Sequence, residues 1–324
     1  MKLYYRGMLA VHLEDGAVTL RDNPLPARPE GYALLRLLAG GICNTDLELQ
    51  RGYYGFTGTP GHEFVAEVVE AGKPGLVGKR VVGEINLACD QCDWCRRGLG
   101  RHCPHRTVLG IVKHPGAFEE FFTLPERNLH VLPEAMPIEH ALFTEPLAAA
   151  CEILDQVRIP CGETVAVLGD GKLGLLIAML LQAHGYPVRQ FGRHRDKLRI
   201  AEAAGVSAEV VSGALPTAAF DWVVDATGSA EGLRSAVQMT RPRGTLILKS
   251  TVHGAVEIDT APIIVNEITL VGSRCGRMET ALPLLERGII PVEKLIADRF
   301  PLAEAPRAFA RAGERGALKV LLAV

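Results

Sequence analysis

The chain has 324 residues, 48% of them hydrophobic and 6% aromatic, with 34 glycines, 20 prolines and a formal net charge of −2. That length and apolar content can fill two domain cores, and no apolar run is long enough to span a bilayer. A nearly neutral chain with few aromatics offers no basic stripe and no stacking platform, so neither nucleic acid nor a membrane is expected as a partner. At the amino terminus, Met1-Lys2-Leu3-Tyr4-Tyr5-Arg6 leads into no apolar core, which argues against a secretory signal and for a cytoplasmic location. Up to about residue 147, short β-type runs at 33–38, 64–70 and 80–82 are broken by Gly and Pro, as in an irregular, strand-rich domain. The chain shows no internal repeat and no low-complexity tract.

Two groups of zinc-competent side chains mark this first part. Cys89-Asp90-Gln91-Cys92-Asp93-Trp94-Cys95, followed by Cys103, has gaps of two, two and seven residues. Gaps that short let four thiolates converge on one tetrahedral ion, and a site closed by four ligands holds a lobe instead of activating a substrate. A pair of disulfides is the alternative, which the absence of a signal peptide disfavours. The other potential set is Cys43, the pair His62-Glu63, and Glu145. Each of these acids could also be an ordinary surface or capping carboxylate, and the pair Thr45-Asp46 taken alone reads as a turn or helix cap. Cys151, Cys161 and Cys275 are expected to be small buried hydrophobes, and His184 and His194 surface residues.

Beyond residue 147 the pattern becomes strand then helix, repeated: strands at 164–168, 188–191, 222–225 and 245–248, helices at 173–183 and 197–204. This alternation predicts a doubly wound parallel sheet, which stops near Val271. The first of these strands runs straight into Gly169-Asp170-Gly171-Lys172-Leu173-Gly174, which opens the helix. In a turn so placed, one glycine permits the bend, one lets a pyrophosphate approach the backbone, and one lets helix pack on strand, so a dinucleotide is expected there. The end of the second strand reads Gln190-Phe191-Gly192-Arg193-His194-Arg195. A glycine stands where an NAD site usually carries an acid, and Arg193 and Arg195 suit a 2′-phosphate, so NADP is favoured over NAD. A solvated basic turn is the plainer reading of the same residues. Lys249, at the end of the strand 245–248, could touch substrate or cofactor or simply end in solvent.

Gly41-Ile42-Cys43-Asn44-Thr45-Asp46, Pro60-Gly61-His62-Glu63, the four-cysteine lobe, Glu145-Pro146-Leu147 and the glycine turn occur in the order found in zinc-dependent medium-chain alcohol dehydrogenases. The resemblance extends through Asp225-Ala226-Thr227-Gly228-Ser229 to the closing Gly316-Ala317-Leu318-Lys319-Val320. It implies an α/β protein with a GroES-like, strand-rich catalytic domain of residues 1–146 together with 273–324, and a Rossmann domain of 147–272. It further implies a cleft active site between the domains, two zinc ions per chain, and assembly as a homodimer or homotetramer. Cys43 and His62 resemble the first two ligands of a catalytic zinc, a thiolate and an imidazole that leave an open position for substrate. The family resemblance makes Glu145 the third ligand, as in the polyol, threonine and sugar dehydrogenase branch, with Glu63 behind it or exchanging with a ligand. It also implies that Thr45 contacts the substrate oxygen and passes its proton outward while Asp46 holds the imidazole. Glu48 stands where the family's relay often has a histidine. Thr227 and Gly228 join Gly169, Gly171, Lys172, Leu173, Gly174, Gly192, Arg193 and Arg195 as expected cofactor contacts. The expected activity is hydride transfer between a secondary alcohol, polyol or sugar and the nicotinamide, with a zinc-free reductase or a non-catalytic dinucleotide-binding protein as alternatives. Substrate shape is expected to depend on the loop 52–59, with Tyr53, Tyr54 and Phe56, and on Ile85 and Asn86.

Overall fold

The computed structural model describes residues 7–251 and 255–324, so the stretch 1–6 read for a signal lies outside the described residues. The chain divides into two compact units, Met1–Glu145 with Ile296–Val324, and Pro146–Leu295. Both mix helix and strand, and among the described residues no helix is long and apolar enough to cross a membrane.

The first unit is built on a seven-stranded sheet in which Tyr32–Ile42 pairs antiparallel with Phe64–Glu70, Phe121–Pro125 and the last strand, Lys319–Ala323. Val320 lies opposite Ile42 and Leu322 opposite Gly40, so the carboxyl end of the chain is a structural strand beside the Cys43 segment. Leu35, Leu37, Val65, Val68, Phe118 and Leu322 are all essentially buried here, and burial of this kind stabilises by roughly 1.5–3 kcal/mol for each large apolar side chain. A short helix, Asn44–Gln50, follows the long strand directly, with Cys43 as its N-cap residue.

The second unit holds six parallel strands in the spatial order Ser207–Val210, Val188–Gly192, Val165–Leu168, Phe220–Asp225, Thr240–Leu248 and Thr269–Gly272. Numbered along the chain this is 3-2-1-4-5-6, the order of a dinucleotide-binding sheet. Every residue of Val165–Leu168 is buried, as a central parallel strand covered on both faces requires. The helix after it, Lys172–Ala183, buries Gly174 through Leu181 without a break. Phe191 meets Phe220 edge-on, with ring centroids 5.8 Å apart, within one core cluster of this sheet.

One boundary departs from expectation. The first unit resumes at Ile296 and not at residue 273. The strand–helix alternation does stop with Thr269–Gly272, but the chain keeps packing on the central unit. Lys249 Nζ binds Ser273 Oγ at 3.1 Å and the Arg274 carbonyl at 2.9 Å, and the helix Met278–Glu286 buries Met278, Ala281 and Leu285. A loss of periodicity in sequence therefore came earlier than the loss of packing.

Candidate metal centres and nucleotide site

The four lobe cysteines come together without forming disulfides. Their sulfurs lie 3.5 Å (Cys92–Cys95), 3.5 Å (Cys89–Cys103), 3.7 Å (Cys92–Cys103) and 3.9 Å (Cys89–Cys95) apart. Four thiolates at the usual zinc–sulfur distance form a tetrahedron with edges of about 3.8 Å, so this donor set fits a zinc ion. Bonds from the lobe backbone add to that fit. Burial works against ionisation of Cys103, yet backbone bonds at Cys89 and His105 pull its thiol down to about 6, and the His105 N–H lies 3.3 Å from the sulfur.

The other cluster is assembled from two distant segments. Cys43, His62 and Glu63 each offer a ligand atom within 4.8 Å of the others. Asp46, fully buried, organises them: its Oδ2 accepts the Cys43 N–H at 2.8 Å, and its Oδ1 accepts the Gly61 N–H at 3.2 Å and lies 3.4 Å from His62 Nδ1. That contact is too loose to count as a hydrogen bond, and it leaves Nδ1 orphaned in the interior. Burial opposes a positive imidazole, but the Asp46 charge and then Cys43 push the His62 pKa well above its usual value. A buried set rich in anionic donors that draws in positive charge is chemistry a dication satisfies. Thr45 places its Oγ1 3.8 Å from the Cys43 sulfur. Glu48 forms an ion pair with Arg51 at 2.6 Å.

The two candidate acids differ. Glu63 is buried, and its Oε2 forms an ion pair with buried Lys319, leaving Oε1 without a partner. Glu145 lies outside the three-ligand cluster. Burial first, and repulsion from Glu63 and Glu84, raise its carboxyl to about 7 against the pull of His62 and Lys319. Lys319 was visible in sequence only as part of the closing motif, and nothing local pointed to Glu63, 256 residues away. Its signal is tertiary: the last strand's register beside Tyr32–Ile42.

In the second unit the glycine turn has the expected form. Gly169 sits at φ +122°, where a side chain would strike the Ala226 carbonyl, while a Cβ on Gly171 would meet nothing within 4 Å. Gly171 therefore presents an open backbone face at the start of the helix Lys172–Ala183, suited to a pyrophosphate. Thr227 is fixed through its N–H and Oγ1 to Asp225, at 3.0 and 2.7 Å, and Gly228 N–H bonds Ser250 Oγ at 2.8 Å. The strand end has no acid of its own, but a carboxylate from the glycine turn reaches it. Asp170, from the glycine turn, accepts the N–H groups of Arg193 and His194, both at 2.6 Å, and pairs with His194 Nδ1 at 3.0 Å. His194 is thus not a bare surface residue. Arg193 and Arg195 do not converge on a common point: one pairs with Glu231 and the other with Glu202.

Lys249 does not end in solvent. It is buried, and its Nζ also reaches the Ala149 carbonyl at 2.5 Å, bracing the unit from inside. Cys151 is buried as expected, whereas Cys161 is exposed and Cys275 partly so. In the loop 52–59, the Tyr53 and Tyr54 rings lie with centroids 4.1 Å apart, tilted by 39°, and Tyr54 is exposed, while Ile85 is part of the core.

The pairing of a thiolate–imidazole–carboxylate cluster with a 3-2-1-4-5-6 nucleotide sheet agrees with what sequence comparison finds. The model of the alcohol dehydrogenase GroES-like domain matches residues 29–134, and that of the zinc-binding dehydrogenase domain matches 173–287. A D-altritol 5-dehydrogenase of Agrobacterium fabrum is 32% identical over 311 residues, covering 90% of this chain and 92% of its own. The chain belongs to the zinc-dependent medium-chain alcohol dehydrogenase family. It is an NAD(P)-dependent alcohol oxidoreductase. A D-arabitol-phosphate dehydrogenase of Enterococcus avium is 28% identical over 93% of this chain and 92% of its own. Among solved structures, a provisionally assigned zinc-binding dehydrogenase of Sinorhizobium meliloti 1021, bound to NADP, superposes with a TM-score of 0.90. It is 29% identical, with 99% of this chain and 100% of that chain covered.

Proposed function

We propose that this dehydrogenase carries two zinc ions per chain and moves hydride between a secondary alcohol, polyol or sugar and a nicotinamide dinucleotide. The observation that carries the reading is the cluster of Cys43, His62 and Glu63 with Thr45 beside the Cys43 sulfur. Cys43 and His62 would hold the catalytic zinc together with a carboxylate oxygen from Glu145 or Glu63, and Cys89, Cys92, Cys95 and Cys103 would hold the structural one. When bound, the catalytic zinc supplies a Lewis acid that polarises the substrate oxygen. Asp46 holds the His62 ring and the Cys43 backbone in ligating geometry. Thr45 Oγ1 would take the alcohol's proton as it passes its own outward to solvent on oxidation, and the same relay runs in reverse on reduction. Lys319 pairs with Glu63 in the interior. The curated relatives described above are named for sugar alcohols or their phosphates, which supports a polyhydroxy substrate.

Gly169, Gly171, Lys172, Leu173 and Gly174 would cradle the pyrophosphate, with Thr227 and Gly228 at the neighbouring strand end. NADP use rests on Arg193 and Arg195, whose present partners are carboxylates at an exposed surface, a kind of pair worth about 0–1 kcal/mol that a phosphate can displace. Assembly as a homodimer or homotetramer is supported by exposed Ile264 and Val265, with Leu270 on the edge strand Thr269–Gly272. The free cysteines accord with a cytoplasmic location.

A panel of secondary alcohols, polyols and sugars, assayed with NAD and NADP alongside zinc analysis, tests the proposal. Turnover should be lost to a chelator and restored by zinc. Zinc-independent turnover would favour a zinc-free reductase, and dinucleotide binding with no turnover on any substrate a non-catalytic role.

A further inference from the structure

The strand Val188–Gly192 ends in a glycine, where a nucleotide site commonly carries the acid that binds the adenosine ribose. A Cβ placed on Gly192 would lie 2.6 Å from Asp170 Cβ and 2.7 Å from Asp170 Oδ2. A strand-end aspartate could therefore not fit, because another carboxylate already fills the volume its side chain would enter. That carboxylate is held firmly: Asp170 is 7% exposed, with Oδ2 taking the two N–H groups of Arg193 and His194. Its Oδ1 meets His194 Nδ1 at 3.2 Å, and a carboxylate oxygen has lone-pair capacity for more than one donor, so it can take a further hydroxyl.

We propose that Asp170 is a cofactor-specificity residue: from the glycine turn it supplies the carboxylate that the strand end lacks, accepting a hydrogen bond from the ribose diol of NAD and opposing the 2′-phosphate of NADP. The proposal rests on the reading that this turn binds a dinucleotide. Two effects act together against the phosphate. The carboxylate repels a dianion, and it has already taken the N–H groups of residues 193 and 194, which a phosphate at this strand end would otherwise accept. Arg193 and Arg195 pull the other way, and Lys197, which also feels the Asp170 charge, stands with them. Cofactor choice is thus a contest between one carboxylate fixed by the turn and cations on the following loop and helix.

Asp170→Asn separates charge from bracing, since the amide oxygen can still accept the two backbone N–H groups. Asp170→Ser shortens the side chain and serves as a second variant. Kd and kcat/KM for NAD and NADP are measured for both and for the wild type, with thermal midpoints. The expected result is a rise of about tenfold or more in the NADP-to-NAD ratio, in affinity and in kcat/KM, for Asp170→Asn. An unchanged ratio, with both cofactors weakened alike, would overturn the proposal and leave Asp170 as a brace for the turn. If wild-type protein bound neither dinucleotide, the nucleotide reading of the turn and this inference would fail together; normal binding with an unmoved ratio removes only the inference.

Discussion

The four-cysteine lobe and the Cys43 cluster lie in the same unit, yet they are built in opposite ways. The lobe draws four identical ligands from residues no more than 14 positions apart, and its sulfurs already stand near the edge lengths of a tetrahedron. The Cys43 cluster joins a helix N-cap residue, a separate segment at His62 and Glu63, and a lysine from the last strand. It has unlike ligands, a buried acid with a free oxygen and a hydroxyl close by. Short spacing makes a closed site that holds shape. Distant segments make an asymmetric one, where an open position can be kept for chemistry.

The sharpest way to break this comparison is to remove one cysteine from each site. Cys43→Ser should lower turnover by about a thousandfold or more, because several kcal/mol of Lewis-acid stabilisation depend on the ligand set, with the fold kept and about one zinc per chain retained. Cys92→Ser should act through folding, with a lowered thermal midpoint and poor recovery of folded protein. Zinc content near one in wild-type protein and in Cys43→Ser alike would undo the two-site assignment.

Lys319→Met should leave Glu63 as an uncompensated buried charge and cost about 3–5 kcal/mol of stability, read by denaturant unfolding. Adding Glu63→Gln to that variant should recover much of the loss. No recovery would mean that Lys319 matters for the strand it sits on and not for its partner.

A smaller effect is expected at Thr45, which touches the Cys43 sulfur without being a metal donor. Thr45→Ala should reduce turnover by about a hundredfold, the scale of proton-transfer catalysis, with cofactor affinity and zinc content unchanged. Near-normal turnover with chemistry rate-limiting would send the proton by another route, with Glu48 or water the next candidates.

The mildest test lies away from both metal sites. Burial pushes the Glu119 carboxyl up to about 8, against a weaker lowering bond from Asn23. The folded chain therefore holds this proton more tightly than the unfolded chain does. The associated stability is complete below the ordinary carboxyl range, and is lost as pH rises through about 8. Glu119→Gln cannot ionise, so its stability relative to wild type should grow by about 1 kcal/mol or more between pH 5 and pH 9. Parallel pH profiles for the two proteins would show that the carboxyl is solvated when ionised.

Much of this was legible beforehand because it is local. The strand Phe64–Glu70 came out as read, the helix Lys172–Ala183 began one residue earlier, and the glycine turn has its left-handed residue at Gly169. Spacing alone brought the lobe cysteines together. The return to the first unit was misplaced, because residues 273–295 lose the strand–helix rhythm while still packing on the central unit through Lys249 and Met278.

By itself, the sequence determined the two-part α/β architecture, the gathering of the four lobe cysteines and the glycine turn. Each of these depends on periodicity or on neighbours a few residues apart, where chain geometry leaves few options. Only the tertiary structure decided that Lys319 neutralises Glu63, that Glu145 stands outside the tight cluster, and that Asp170 fills the strand end that Gly192 leaves open. Those are encounters between segments far apart in the chain, set by strand register and close packing, and no local pattern encodes which charge will meet which.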